Sequence, residues 1–228
     1  MLVLFDIDDT LIDHSAAVRD GVTALYDQIR PAEEASAFHA SWVAAMKAHF
    51  PRFLSGEMTY QDQRRARMRQ TVGPQLSDAE ADELFEVYFR VYETRWSLFP
   101  DVLPCLADLS GHRLAVISNG NTAEQRAKLE RTGIAERFES IHISDECGHA
   151  KPAAEIFHRA CRMAAVSPRD AMYVGDLYEI DAVGAREAGL HGVWLNRAAL
   201  HDREYAPPII SGLGELARVV DARNTIRG

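Results

Sequence analysis

The chain opens on four apolar residues, 2 to 5 (LVLF), and then turns acidic at once: Asp6, Asp8 and Asp9 fall within four positions. So short an apolar run is no amphipathic helix, and it lacks the alternation of a half-solvated strand. It reads as a strand buried on both faces, which belongs to a parallel sheet flanked by helices. Such a strand delivers whatever follows it to the C-terminal edge of the sheet, where open α/β sheets bind their ligands. Three carboxylates gathered there repel one another unless a cation neutralises them.

The second half of the chain repeats this signature. Strand candidates lie at residues 114–117, ending at Ser118-Asn119-Gly120, at 141–143, at 171–174, ending at Gly175-Asp176, and at 192–195. Helical patterns separate them, one running to about Arg131, one over 155–164 and one to Ala188, with Gly133 and Gly189 as stop signals. Alternation of this kind predicts an α/β fold with a doubly wound parallel sheet. Residues 15–95 differ. Val18, Val22, Leu25 and Ile29 follow helical spacing, as do Phe38, Trp42, Ala45 and Met46, and then Leu84, Val87, Tyr88 and Val91. Ser77 with Glu80 three residues on is a capping signature for the last of these. Pro31, Pro51, Gly56, Gly73 and Pro74 punctuate the block, which predicts four or more helices and no strand. The expected organisation is a core of residues 1–13 and 97–228 with an all-helical cap, 14–96, inserted after the first strand.

Composition narrows the functional classes. Of 228 residues, 47% are hydrophobic and 26% charged, which suits a packed globular chain, and the net charge of −9 repels nucleic-acid backbones and anionic membranes. No apolar run approaches the roughly 18 residues that span a bilayer, and acids interrupt the N-terminus too early for a signal peptide. The three cysteines, Cys105, Cys147 and Cys161, form no CxxC pair, which fits a reducing compartment with the cytoplasm as the default. Neither a nucleic-acid nor a membrane partner is expected.

Four groups of residues have the chemistry of a reactive site. In Asp6-Ile7-Asp8-Asp9-Thr10, one carboxylate can attack while another, two residues on, serves as acid and base; a solvated acidic turn or a helix cap is the plainer account. Asp176 and Asp181 can complete a metal site begun by Asp6 and Asp8, or cap and charge the following helix. Ser118-Asn119-Gly120 offers a hydroxyl and backbone N–H groups to phosphate oxygens, or is simply a turn. Lys151 is a compact cation suited to phosphate, or a surface lysine; Pro152 is expected at the first position of the next helix. A nicotinamide enzyme is disfavoured, because Gly212-Leu213-Gly214 lacks the third glycine of the dinucleotide fingerprint.

Taken in order, DIDDT (6–10), Ser118, Lys151 and GDLYEID (175–181) resemble the four motifs of the haloacid dehalogenase-like hydrolase superfamily. The resemblance implies a Rossmann-like core with a helical cap inserted after the first motif. It implies Asp6 as a nucleophile that becomes aspartyl-phosphate, and Asp8 as the group that protonates the leaving oxygen and then activates water. It further implies that Ser118 and the N–H of Asn119 hold the transferring phosphoryl group with Lys151. Mg2+ would be bound by Asp6, the backbone carbonyl of Asp8 and Asp176, with Asp181 nearby. The substrate would be a small phosphorylated metabolite. Dehalogenases of the superfamily lack the second aspartate of the first motif, so Asp8 favours a phosphatase over a 2-haloacid dehalogenase. A phosphomutase and a non-catalytic binding protein are the remaining alternatives. Residues 118–133 and Trp194-Leu195-Asn196-Arg197 are similar to the 5'-nucleotidase and N-acylneuraminate-9-phosphatase branch, which points to nucleotides or sugar phosphates. Within the helical block, Trp42, Phe50 and Phe53 either stack on a base or form its core; Arg64, Arg65, Arg67 and Arg69 either attract anions or make a solvated face; and His14 lies at the entrance or at a hinge.

Overall fold

The structure, a computed structural model, describes residues 1–198 and 208–225, with side chains through 223. The chain divides into two compact units, residues 1–13 with 97–228, and residues 14–96.

The first unit is built on six parallel strands: β1 Leu2–Phe5, β2 Arg113–Ser118, β3 Ser140–Ile143, β4 Ala171–Gly175, β5 His191–Leu195 and β6 Ile209–Ile210. Their order across the sheet is β3-β2-β1-β4-β5-β6. All four residues of β1 are buried, as a central parallel strand covered on both faces requires. Leu2 and Leu4 pack on one face with Ala115, Ile117, Ala171 and Tyr173, under Ile156, Phe157, Ala160 and Cys161. Those last four belong to a helix at Ala154–Met163. Val3, Phe5, Val116 and Val174 alternate to the opposite face and are equally buried. Register pairs Phe5 with Val116 on one side and with Val174 on the other. After β1 the chain builds outward through β2 and β3, then returns to the far side of β1 for β4. The switch of direction therefore falls between β1 and β4, where doubly wound sheets open a crevice.

The helices are α1 His14–Ile29, α2 Ala35–Leu54, α3 Tyr60–Thr71, α4 Asp78–Thr94, α5 Val102–Asp108, α6 Thr122–Arg131, α7 Ser144–Cys147, α8 Ala154–Met163, α9 Gly184–Glu187 and α10 Leu216–Thr225. A wide π turn, Tyr178–Val183, leads into α9. The expected strands are all present and run slightly longer than the apolar runs, because ladder pairing extends onto Arg113, Ser140 and His191. The two-residue β6 is too short to carry a pattern.

The second unit holds α1 to α4. Trp42, Phe38, Val22, Leu25, Met68, Phe85, Tyr88 and Tyr92 form its core. Trp42 is wholly buried, with its ring 4.3 Å from that of Tyr88. The capping box at Ser77 and Glu80 starts α4 as expected. The buried stripe of α4 is Ala81, Phe85, Tyr88 and Tyr92, rather than one centred on Leu84, Val87 and Val91. The aromatic rings take the centre because they remove more area from water. Pro51 does not break α2; it lies inside the helix near its end. The arginines of α3 are not one solvated face. Arg64 and Arg67 lie over the rings of Tyr60 and Trp42 at 4.0 and 4.4 Å, while Arg65 and Arg69 pair with Asp78. Trp42 and Phe53 are core residues, and His14 is within 3.1 Å of the Tyr92 hydroxyl.

Candidate active site

Asp6 follows β1 directly, and its N–H continues the ladder to the Val174 carbonyl at 3.0 Å. Its carboxylate is thereby set at the switch between β1 and β4. Asp176 follows β4, and its carbonyl accepts the Trp194 indole N–H at 2.9 Å. Asp181 comes from the π turn, and its Oδ2 accepts the Leu177 N–H at 2.9 Å. Oxygen atoms of Asp6, Asp176 and Asp181 all lie within 4.8 Å of one another. The close approach of Asp181 to β4 needs a glycine at 175, since a Cβ there would stand 2.4 Å from the Asp181 carboxyl carbon.

Lys151 stands among these acids. Its Nζ donates to Asp6 Oδ1, Asp181 Oδ1 and the Tyr173 hydroxyl, each at 2.7 Å, and all four side chains are buried. Tyr173 in turn donates to the Ile117 carbonyl at 2.8 Å. Asn119 holds the Lys151 backbone from both sides: its Nδ2 donates to the Lys151 carbonyl at 2.9 Å, and its Oδ1 accepts the Lys151 N–H at 2.8 Å. Lys151 and Pro152 are joined by a cis peptide. Pro152 is not the first helical residue; α8 begins at Ala154, behind Ala153, because the turn that presents Lys151 extends past the proline. Ser118 is buried at the last position of β2, beside β1. The Gly120 N–H donates to Ser144 Oγ at 2.9 Å.

Crowding sets the electrostatics. Burial, with Asp181 and Asp8 nearby, pushes the Asp6 carboxyl up to about 7 against the lowering pull of Lys151. Burial, then Asp6 and Asp181, pushes Asp176 up to about 9. Burial alone would lower Lys151, but Asp181 and Asp6 outweigh it and hold the ammonium well above its ordinary range. Three carboxylates thus face one ammonium. An all-oxygen donor set with that surplus of negative charge fits a hard divalent cation.

The Asp8 carboxylate is held by α6. Lys128 Nζ donates to both of its carboxylate oxygens, at 2.7 and 3.0 Å, and Gln125 Nε2 donates to Oδ2 at 2.8 Å. The turn carrying Asp8 is tight: the Leu11 and Ile12 N–H groups bond the Ile7 carbonyl, and Asp9 takes a left-handed φ of 54°. No helix begins at Asp9 or Thr10, so neither is a cap. Arg197 braces the loop, donating to the Thr10 carbonyl and to both oxygens of Asp101 at 2.9 Å.

The structure therefore gathers Asp6, Lys151, Asp176 and Asp181 into one cluster, with Ser118 and Asn119 at the adjacent strand end. Asp8 lies two residues from Asp6 but turns its carboxylate to α6. Tyr173, Gln125 and Lys128 contact the Lys151 cluster or Asp8, and patterning did not single them out. Tyr173 reads as an ordinary strand residue. Lys128 had one available signal: α6 buries Gln125, Lys128 and Leu129, so its inner face is largely polar.

The profile of the haloacid dehalogenase-like hydrolases matches residues 1–189. The chain is 30% identical over 205 residues to a glyceraldehyde 3-phosphate phosphatase of Methanopyrus kandleri, covering 89% of this chain and 86% of that one. It is 31% identical over 206 residues to the N-acylneuraminate-9-phosphatase of Rattus norvegicus, covering 86% and 82%. Its fold is similar to that of the magnesium-bound HAD-hydrolase YfnB of Bacillus subtilis, at a TM-score of 0.79 and 24% identity over 96% of this chain and 98% of that one. Strand ends, acid cluster and relatives agree, and the chain belongs to the haloacid dehalogenase-like hydrolase family.

Proposed function

We propose that this hydrolase is a Mg2+-dependent phosphatase of small phosphate monoesters, a sugar phosphate or a nucleotide, acting through an aspartyl-phosphate on Asp6. One observation carries the reading: two carboxylates two residues apart have different surroundings. Asp6 is buried against Lys151 and the other acids, while Asp8 is held by Lys128 and Gln125. Two carboxylates in divergent settings suit two roles.

In the first step an Asp6 oxygen bonds to phosphorus, the ester P–O bond breaks, and Asp8 gives its proton to the leaving oxygen. In the second, Asp8 takes a proton from water, the water oxygen bonds to phosphorus, and the bond from phosphorus to Asp6 breaks, returning free phosphate and the starting carboxylate. Lys151 and Ser118 hold the transferring group in line. Mg2+ held by Asp6, the Asp8 carbonyl and Asp176, with Asp181 beside them, would supply neutralising charge. The presence of Asp8 supports phosphatase over dehalogenase chemistry, because an ester formed by displacing halide needs no protonated leaving oxygen. We assign residues 14–96 as the cap that selects the substrate. The unpaired Cys105, Cys147 and Cys161 fit a cytoplasmic setting.

The test is phosphate release from a panel of sugar phosphates, nucleoside monophosphates and phosphoglycolate, in Mg2+ and in EDTA, with Asp6→Asn in parallel. Release should need Mg2+ and vanish in the variant. Lasting turnover by Asp6→Asn, or release from no ester alongside halide release from a 2-haloacid, would sink the proposal.

A further inference from the structure

We propose that Lys128 and Gln125 are positioning residues that aim the Asp8 carboxylate at the leaving oxygen. This inference rests on the reading of Asp8 as the acid and base.

Lys128 and Gln125 are three residues apart on α6 and so share one face of it. Both are buried, Lys128 completely. A buried ammonium costs several kcal/mol unless it is paired, so a lysine here is a poor choice for packing alone. Its stem could be replaced by an apolar side chain, as the inner face of any helix on a sheet allows. Instead its Nζ forks across both oxygens of Asp8, with Glu124 also within 3.3 Å.

Gln125 adds direction. Its Nε2 donates to Asp8 Oδ2 at 2.8 Å and to the Asn119 carbonyl at 3.0 Å. Asn119 is the residue that clamps the backbone of Lys151. One amide group thus ties the Asp8 carboxylate to Asn119, whose own amide holds the turn that carries Lys151. The helix is anchored as well: Asn121 Oδ1 caps it at the Glu124 N–H, and Asp145 Oδ2 accepts from Asn121 Nδ2 and the Thr122 N–H. A Cβ at Gly120 would stand 2.9 Å from Gln125 Nε2, so the close approach needs glycine there, where φ is 141°. These contacts hold Asp8 on the β1 loop against two side chains of α6, and join it to the Lys151 turn through Gln125 and Asn119. An acid must stand within hydrogen-bond reach of the oxygen it protonates, and a displacement of about 1 Å costs on the order of 100-fold in rate.

The test compares leaving groups. A p-nitrophenolate leaves without a proton, whereas a sugar alkoxide needs one. Lys128→Met keeps the length of the stem and removes the charge; Gln125→Leu keeps the ammonium and removes the amide. For the sugar phosphate that the wild type hydrolyses best, kcat in Lys128→Met should fall about 100-fold with KM little changed. With p-nitrophenyl phosphate the first turnover should fall far less. The second step still needs Asp8 to activate water, so a burst of about one p-nitrophenolate per site should precede a slow steady rate. Gln125→Leu should move both readouts in the same direction by about tenfold, and it carries the test if Lys128→Met does not fold. Equal losses on the two esters without a burst, or no loss on either, would overturn the positioning role. Wild-type protein that hydrolyses neither ester would overturn the phosphatase reading, and Asp8→Asn that keeps full sugar-phosphate turnover would overturn the acid–base role of Asp8; either result takes this inference with it.

Discussion

Replacing Lys151 by methionine removes an ammonium in contact with Asp6 and Asp181 while keeping most of the buried stem. Lys151 is 5% exposed and bonds both carboxylates and the Tyr173 hydroxyl at 2.7 Å. Removing one partner of a buried ion pair costs about 3–5 kcal/mol, because the remaining charge stays in a medium that solvates it poorly. For a chain of this size each kcal/mol lowers Tm by about 2–4 °C, so metal-free Lys151→Met should melt roughly 6–20 °C below wild type. The loss should depend on pH. Burial above all raises Asp6 from 3.8 to about 7, against the pull of Lys151. A carboxyl raised on folding contributes stability that is fully present below its unfolded value, near 4, and lost as pH rises through its folded value. Without Lys151 the folded value climbs further, so the variant's deficit should be smaller at pH 5, where Asp6 is protonated, than at pH 8. Thermal unfolding followed by circular dichroism in EDTA, at both pH values, measures this. Lys151→Met with Asp181→Asn should recover part of the pH 8 loss, since the second change removes one orphaned charge. Equal melting of Lys151→Met and wild type at pH 8, or a larger deficit at pH 5, would refute the reasoning.

Two further outcomes follow from the same cluster. Mg2+ should raise the Tm of the metal-free protein, by about 2.7 kcal/mol of stabilisation at 100 times its Kd, and Asp176→Asn should weaken that shift in the same thermal unfolding experiment. Gly175→Ala, whose new methyl would stand 2.4 Å from the Asp181 carboxyl carbon, should lose about 1–3 kcal/mol in urea titration and displace Asp181 from Lys151.

In the arginine run 64–69, patterning alone does not decide the environment. The sequence offers only charge at helical spacing. Whether such charges face water depends on what packs opposite, and here Phe85, Tyr88 and Trp42 present ring faces that accept Arg64 and Arg67. The same limit hid Tyr173, whose hydroxyl is polar but whose strand context marks it as core.

What the sequence determined was the sheet edge. An apolar strand that breaks abruptly into acid places Asp6 and Asp176 at strand ends, and Ser118 likewise, because a buried strand tolerates no charge until it leaves the core. The helices of residues 14–96 were legible for a similar local reason: period and capping signals act within a few residues of one another. The tertiary structure alone decided which of these ends adjoin. Strand order sets β1 beside β4 and brings Asp181 to Lys151, and it carries α6 over the first loop so that Lys128 meets Asp8 from 120 positions away. A pairing over that distance leaves no periodic trace, because its partners are chosen by burial and charge once the chain has closed.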